Sequence, residues 1–393
     1  MSVTAPARST PPGLRDRFPR SYEALLCLTL ALASLLVFAY GKIGVFPGID
    51  GPIAFDGNYY TLIGERGYSF SGRIEEQNTT AFLPLMGFAI QGARFVIPGH
   101  FPLAEVATLG FVILLLTLLG IHRLTYSLSG SYSAAGVAIA LWALSPIAFY
   151  NFVGYADPLY ALLTVWTLLL AVKERYWGAC MLAGLAMLTR PQAAVLVIFV
   201  IGMLMLQRRA EWRSLLSSAV PAQTALTLLP ILLFSTYCAI AFGDSAVYVN
   251  SLEAWRNGSF LDGNLPVWKA VPYFVKTASE GANALSVWTI FLASTTLCMV
   301  FGLLLFALNA SRTIAMFYVA TLLFLAATIS FDAINFARHM FFLVPWVMLA
   351  AIAHVRADPG RWIRIPVLLA WIGFSVSVNL VAVGRYYRGE WVS

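Results

Sequence analysis

Asp56 is the residue of this chain best placed to do chemistry. It heads the stretch Phe55-Asp56-Gly57-Asn58-Tyr59-Tyr60-Thr61-Leu62-Ile63-Gly64-Glu65-Arg66-Gly67-Tyr68, which is polar and aromatic and follows the first apolar run of membrane length. A carboxylate at a membrane–water interface can take the proton of an acceptor hydroxyl as that hydroxyl attacks an anomeric carbon. Phe55, Tyr59 and Tyr60 would offer apolar faces to sugar C–H groups and hold water back. The competing reading of Asp56 is a solvated loop acid ahead of the Asp56-Gly57 turn.

Arginines supply the complementary charge. Arg190 and Arg338 fall at the outer ends of apolar runs, where an ionised side chain needs a reason to be. A departing phosphate calls for a permanent cation with a bidentate fork; the alternative is snorkelling to lipid headgroups. His339 stands beside Arg338 as a further donor, or as a structural histidine at a helix end. Asp157, before Pro158, reads as a helix N-cap, as a partner for Arg190, or as a contact for sugar hydroxyls. Asp244, after Phe242-Gly243, carries the same ambiguity.

Composition states what must hold these groups. Of the 393 residues 60% are hydrophobic and only 11% charged, against about 25% charged in a soluble domain. Most of the surface therefore faces lipid. The formal charge of +7 is a matter of topology, with basic residues clustered beside spans, and does not point to nucleic acid. Cys27, Cys180, Cys238 and Cys298 each sit inside an apolar run without metal-knuckle spacing; they read as small buried hydrophobes.

A bilayer core about 30 Å thick needs about 20 apolar residues per helix. On that basis about eleven spans are expected, near 22–40, 102–121, 134–149, 158–172, 176–189, 191–206, 219–242, 285–308, 313–330, 339–355 and 365–383. Residues 1–21 read as a basic cytosolic tail, 22–383 as one transmembrane domain and 384–393 as a short outer tail. The stretch 81–98 reads as a helix along the membrane surface. Arg190-Pro191 marks a tight hairpin or re-entrant element. Basic residues such as Arg8, Arg15, Arg17, Arg20, Lys173, Arg175, Arg208 and Arg209 fall on the N-terminal side of the membrane, which makes that side cytosolic. The long loops 41–101 and 243–284 are then outside. Asn78-Thr79-Thr80 and Asn257-Gly258-Ser259 are outer-loop sequons.

Six segments, in order, carry a family resemblance. The D-G-x-x-Y-x-x-I-x-x-x-G-Y pattern of Asp56 to Tyr68 resembles the W-D-G-x-W-Y-x-x-I-A-x-x-G-Y signature of PIG-V-type mannosyltransferases. Ala81-Phe82-Leu83-Pro84-Leu85 is similar to the family's A-F-F-P-L. Tyr155-Ala156-Asp157-Pro158-Leu159-Tyr160-Ala161-Leu162 is similar to Y-T/S-E-P-L-F-A-L. Gly184-Leu185-Ala186-Met187-Leu188-Thr189-Arg190-Pro191 resembles G-L-x-x-x-L-T-R-P. Gly243-Asp244-Ser245 with Ala254-Trp255 resembles G-D-P…W. Asn335-Phe336-Ala337-Arg338-His339 before Leu343-Val344-Pro345 resembles the late arginine ahead of a proline-containing span. Phe55, Tyr59 and Asp157 depart from the family's two tryptophans and its glutamate while keeping aromatic or acidic character.

The resemblance implies the GT-C class of membrane glycosyltransferase, an all-α polytopic helix bundle with a partly helical first outer loop. It further implies a polyprenyl-phosphate sugar donor, Asp56 as base, Tyr59, Tyr60 and Tyr68 around the sugar, and mannose as the hexose. A single displacement inverts the anomeric carbon. The acceptor is a glycan, lipid or protein hydroxyl on the extracytoplasmic or lumenal face, in a cell membrane or the endoplasmic reticulum. No nucleotide cofactor is expected, because no phosphate-cradling glycine loop occurs, and no D-x-D pair in the sequence supports a divalent metal. The rival reading is a lipid-linked saccharide transporter or flippase, which would be expected to show repeated halves.

Overall fold

The computed structural model describes residues 20–47, 51–97, 102–207, 219–255, 351, 352, 355 and 361–389, and no strand occurs among them. The helices are α1 (Arg20–Ile43), α2 (Phe55–Arg66), α3 (Pro84–Val96), α4 (Pro102–Ser129), α5 (Tyr132–Ala143), α6 (Asp157–Val172), α7 (Tyr176–Met187), α8 (Ala193–Gln207), α9 (Val220–Phe242), the single turn α10 (Val247–Asn250) and α11 (Arg361–Tyr387). Four of the described helices are long and apolar enough to cross a membrane: Ser21–Ile43, Pro102–Ser129, Val220–Phe242 and Ile365–Tyr387. They contain the expected spans 22–40, 102–121, 219–242 and 365–383. The expected spans 285–308, 313–330 and 339–355 lie outside the described residues, apart from 351, 352 and 355.

The expected spans 134–149, 158–172, 176–189 and 191–206 form the shorter apolar helices α5 to α8, and the first of them ends well before its hydropathy suggested. The apolar run 134–149 yields a helix that stops at Ala143, then a turn and a short 3-10 helix, Ala148–Phe152. Pro146 is the reason, because the residue before a proline is pushed out of the helical region. A helix of 12 residues is only about 18 Å long. The irregular backbone that follows is buried from Ser145 to Asp157, which is how non-helical chain is accommodated beside a membrane bundle.

The core runs from α4 across α6 to α7, with Leu114, Leu118 and Ile121 of α4 fully enclosed. The Trp166 indole N–H of α6 donates to the Leu116 carbonyl at 3.0 Å. Cys27, Cys180 and Cys238 are buried in apolar packing as expected; Cys298 lies outside the described residues. At one end of the bundle Glu23 of α1 accepts from Arg123 of α4 at 2.8 Å.

The opposite end carries the loops that matter. There α1 and α11 finish side by side: a Cβ built on Gly41 would lie 3.0 Å from Val383 and 3.4 Å from Leu380. The C-terminal ends of these two long helices therefore lie at the same end of the bundle. The helix expected over 81–98 forms as α3, with Met86, Gly87 and Ile90 buried and Phe88, Phe95 and Val96 exposed. It pairs with α2 through a close approach, since a Cβ on Gly64 would stand 2.9 Å from the Gly87 carbonyl oxygen. Arg94 then locks the pair to α4, reaching Glu65 at 3.2 Å and the buried Glu105 at 3.3 Å.

Candidate active site

The site begins with an awkward piece of backbone. Ala54 is extended, and Phe55, the first residue of α2, has φ 54°. A bulky residue in that left-handed region costs about 1–3 kcal/mol unless its surroundings hold it there. Tyr386 of α11 holds it. Its hydroxyl accepts from the Ala54 N–H at 2.7 Å and donates to the Ala54 carbonyl at 3.1 Å. Its ring meets Phe55 edge-on at 5.7 Å. The turn directs Asp56 inward, where it is 8% exposed. Standing in the first turn of α2, the carboxylate also has the favourable end of the helix dipole.

Gly57 explains how the next loop reaches Asp56. A Cβ here would run into the Val153 carbonyl oxygen, and a Cβ on Gly154, itself at φ 80°, would lie 3.4 Å from the Gly57 Cα. The loop before α6 thus rests on the first turn of α2. Gly57→Ala cannot fit without moving one of them. It is expected to cost about 1–3 kcal/mol by overpacking, read as a lower unfolding midpoint of the detergent-solubilised protein.

Three residues past Gly154, Asp157 forms an ion pair with Arg190, which follows α7. Both are buried, at 1% and 6% exposure. Asp157 does not cap α6: Ala156 occupies the cap position and no side chain bonds there. Pairing with Arg190, one of the readings open in the sequence, is present in the structure. Asp244 does structure its own turn, accepting from the Ala246 N–H at 2.8 Å and from the Asn250 amide at 2.7 Å.

The aromatic residues form a layer around Phe82. Tyr59 stacks on it at 4.7 Å and Tyr60 meets it edge-on at 5.2 Å. The Tyr59 hydroxyl donates to Gln77 at 2.8 Å. Burial raises the Tyr59 phenol above its ordinary value and the Asp56 carboxylate pushes the same way, so it remains a neutral donor. The Tyr68 hydroxyl donates to the Phe82 carbonyl at 2.6 Å while its ring packs on Phe234, Tyr237 and Phe242 of α9. Tyr68 therefore ties the first loop to α9. The segment after α9 is tied in as well, through a 2.7 Å hydrogen bond between the Thr80 and Ser251 hydroxyls. The Asn78 sequon is occupied internally: its amide donates to the Arg73 and Glu76 carbonyls at 2.9 and 2.8 Å.

Asp56, Tyr59, Tyr60, Tyr68, Asp157 and Arg190 are thus gathered at one end of the bundle, while Arg338 and His339 lie outside the described residues. Two residues there escaped the sequence reading. Tyr386 is one. The other is Lys42, at the end of α1, only 4% exposed with its ammonium 5.6 Å from the Phe46 ring centre. The sequence shows only a lysine closing an apolar span, an ordinary pattern; its burial is what marks it. Among the described residues no group of three or more His, Cys, Asp or Glu side chains could hold a metal ion.

This arrangement of helices resembles the fold of solved oligosaccharyltransferases, which are membrane proteins of the GT-C type. Two solved structures similar to it are the oligosaccharyltransferase of Archaeoglobus fulgidus in the apo form, 13% identical with a TM-score of 0.53, and the archaeal oligosaccharyltransferase AglB from Archaeoglobus fulgidus in complex with an inhibitory peptide and a dolichol-phosphate, 15% identical with a TM-score of 0.53. Each likeness covers 93% of this chain but 56% of the other, so the chain spans little more than half their length. No protein-family model and no curated protein matches the sequence.

Proposed function

We propose that the chain is an integral membrane glycosyltransferase that moves a hexose from a polyprenyl-phosphate donor to an acceptor hydroxyl. The observation that carries this reading is the buried Asp56, held at the head of α2 among Tyr59, Tyr60 and the loop before α6. The GT-C fold supports glycosyl transfer, and a neighbour solved with dolichol-phosphate supports a lipid-linked donor. Mannose rests on the PIG-V-type motifs.

In this reading Asp56 accepts the acceptor's proton as its oxygen attacks the anomeric carbon. The bond from that carbon to the phosphate oxygen breaks, and polyprenyl phosphate leaves with the electron pair. One displacement gives inversion. Tyr59 and Tyr60 line the sugar side, while Arg338 and His339 meet the phosphate. The reaction takes place on the outer face, with the N-terminus in the cytosol.

The test is transfer from radiolabelled polyprenyl-phosphate mannose by membranes expressing the chain, with acceptor-rich native membranes present. Label moving into a new product above the untransfected background is the expected result. No transfer would remove the mannosyl donor from the proposal and favour a transporter.

A further inference from the structure

We infer that Tyr386 is a positioning residue for Asp56: its hydroxyl holds Ala54 so that the left-handed Phe55 aims the carboxylate into the site. This rests on the reading of Asp56 as base. The argument starts from the chain path. A phenylalanine in the left-handed region is held there from outside, because its side chain gains nothing by it. Among the described residues the side-chain hydroxyl on the adjoining peptide is that of Tyr386, which accepts from the Ala54 N–H at 2.7 Å and donates to the Ala54 carbonyl at 3.1 Å. A hydroxyl can do both at once, and no apolar ring can replace it.

The ring itself is fixed independently. It packs against Phe149 at 6.3 Å, Tyr387 at 5.3 Å and Phe55 at 5.7 Å, and Tyr386 is 2% exposed. Removing the oxygen alone therefore leaves the ring in place and frees only Ala54. Asp56 is two residues from the peptide that is freed, so its carboxylate loses its aim while the substrate-facing Tyr59, Tyr60 and Phe82 stay packed on one another. A base displaced by about 1 Å can cost on the order of a hundredfold in rate. Through this contact the last long helix of the chain completes a site built by its first outer loop.

The test is a cycle of four full-length proteins, parent, Y386F, F55G and F55G/Y386F, assayed for transfer and for amide hydrogen exchange over residues 54–60. In the Phe55 background, Y386F is expected to lower kcat about ten- to a hundredfold with donor KM little changed, and to speed exchange at the start of α2. In the F55G background the same substitution is expected to lower kcat less than about threefold, since glycine adopts the left-handed region without help. Equal losses in both backgrounds, or unchanged exchange in Y386F, would overturn the positioning role. So would full activity of Y386F. A parent that exchanges normally but transfers nothing overturns the transferase reading instead, and the two failures are thereby told apart.

Discussion

Asp56→Asn is expected to lose transfer by about a hundred- to ten-thousandfold, the range removed with a positioned general base. The substitution is nearly isosteric, so it leaves the turn at Phe55, the contact of Gly57 with Val153 and the burial of the first turn of α2 largely as they are. What it removes is the capacity to take a proton. An asparagine amide oxygen can accept a hydrogen bond from the incoming hydroxyl, so acceptor binding should survive while the chemical step fails. The signature is a fall in kcat with little change in KM, measured with labelled donor at matched expression and matched unfolding midpoint. Retention of transfer within tenfold of the parent would remove Asp56 as the base. A transporter offers the sharper contrast, because moving an intact lipid-linked saccharide breaks no bond and needs no base.

Much of this was readable beforehand, and the reasons differ by residue. Asp56 stands out as a carboxylate ahead of tyrosines in the first long loop, together with the family-like motif around it, and the structure adds that it is buried. The partnership of Asp157 with Arg190 stood beside capping and sugar contact in the sequence; the structure shows the pair and an α6 without a side-chain cap. The amphipathic run that became α3 announced itself by its spacing. The early end of α5 was written in Ser145-Pro146 but was outweighed by hydropathy, which does not register a missing helical donor. Tyr386 could not have been found this way. It lies 332 residues from Ala54, and a tyrosine at the end of a span is by default an interfacial anchor. Only the packing of α1 beside α11 gives it a peptide to hold. The left-handed Phe55 is likewise invisible in a sequence where glycine or asparagine would have been the natural sign.

The second large effect is expected at the Asp157–Arg190 pair. Each residue is buried and faces its opposite charge. Removing either partner takes the facing opposite charge from a buried ion, which costs about 3–5 kcal/mol. Arg190→Met and Asp157→Leu should each lower the unfolding midpoint sharply and reduce the yield of folded protein. The double variant D157L/R190M is expected to recover most of that loss, because well-packed apolar side chains can replace a buried ion pair at little net cost. Non-additivity of this kind is the mark of a direct interaction. The double variant also separates two roles for Arg190. If its guanidinium serves the fold by anchoring the loop that rests on Gly57, the double variant regains transfer to within about tenfold of the parent. If the guanidinium meets the donor's phosphate, the double variant is stable and still inactive, with the loss falling on kcat because charge builds on the leaving oxygen in the transition state. The burial of both groups and the seating of the Val153-Gly154 backbone against Gly57 favour the first outcome. Measuring unfolding and transfer on the same four proteins decides it.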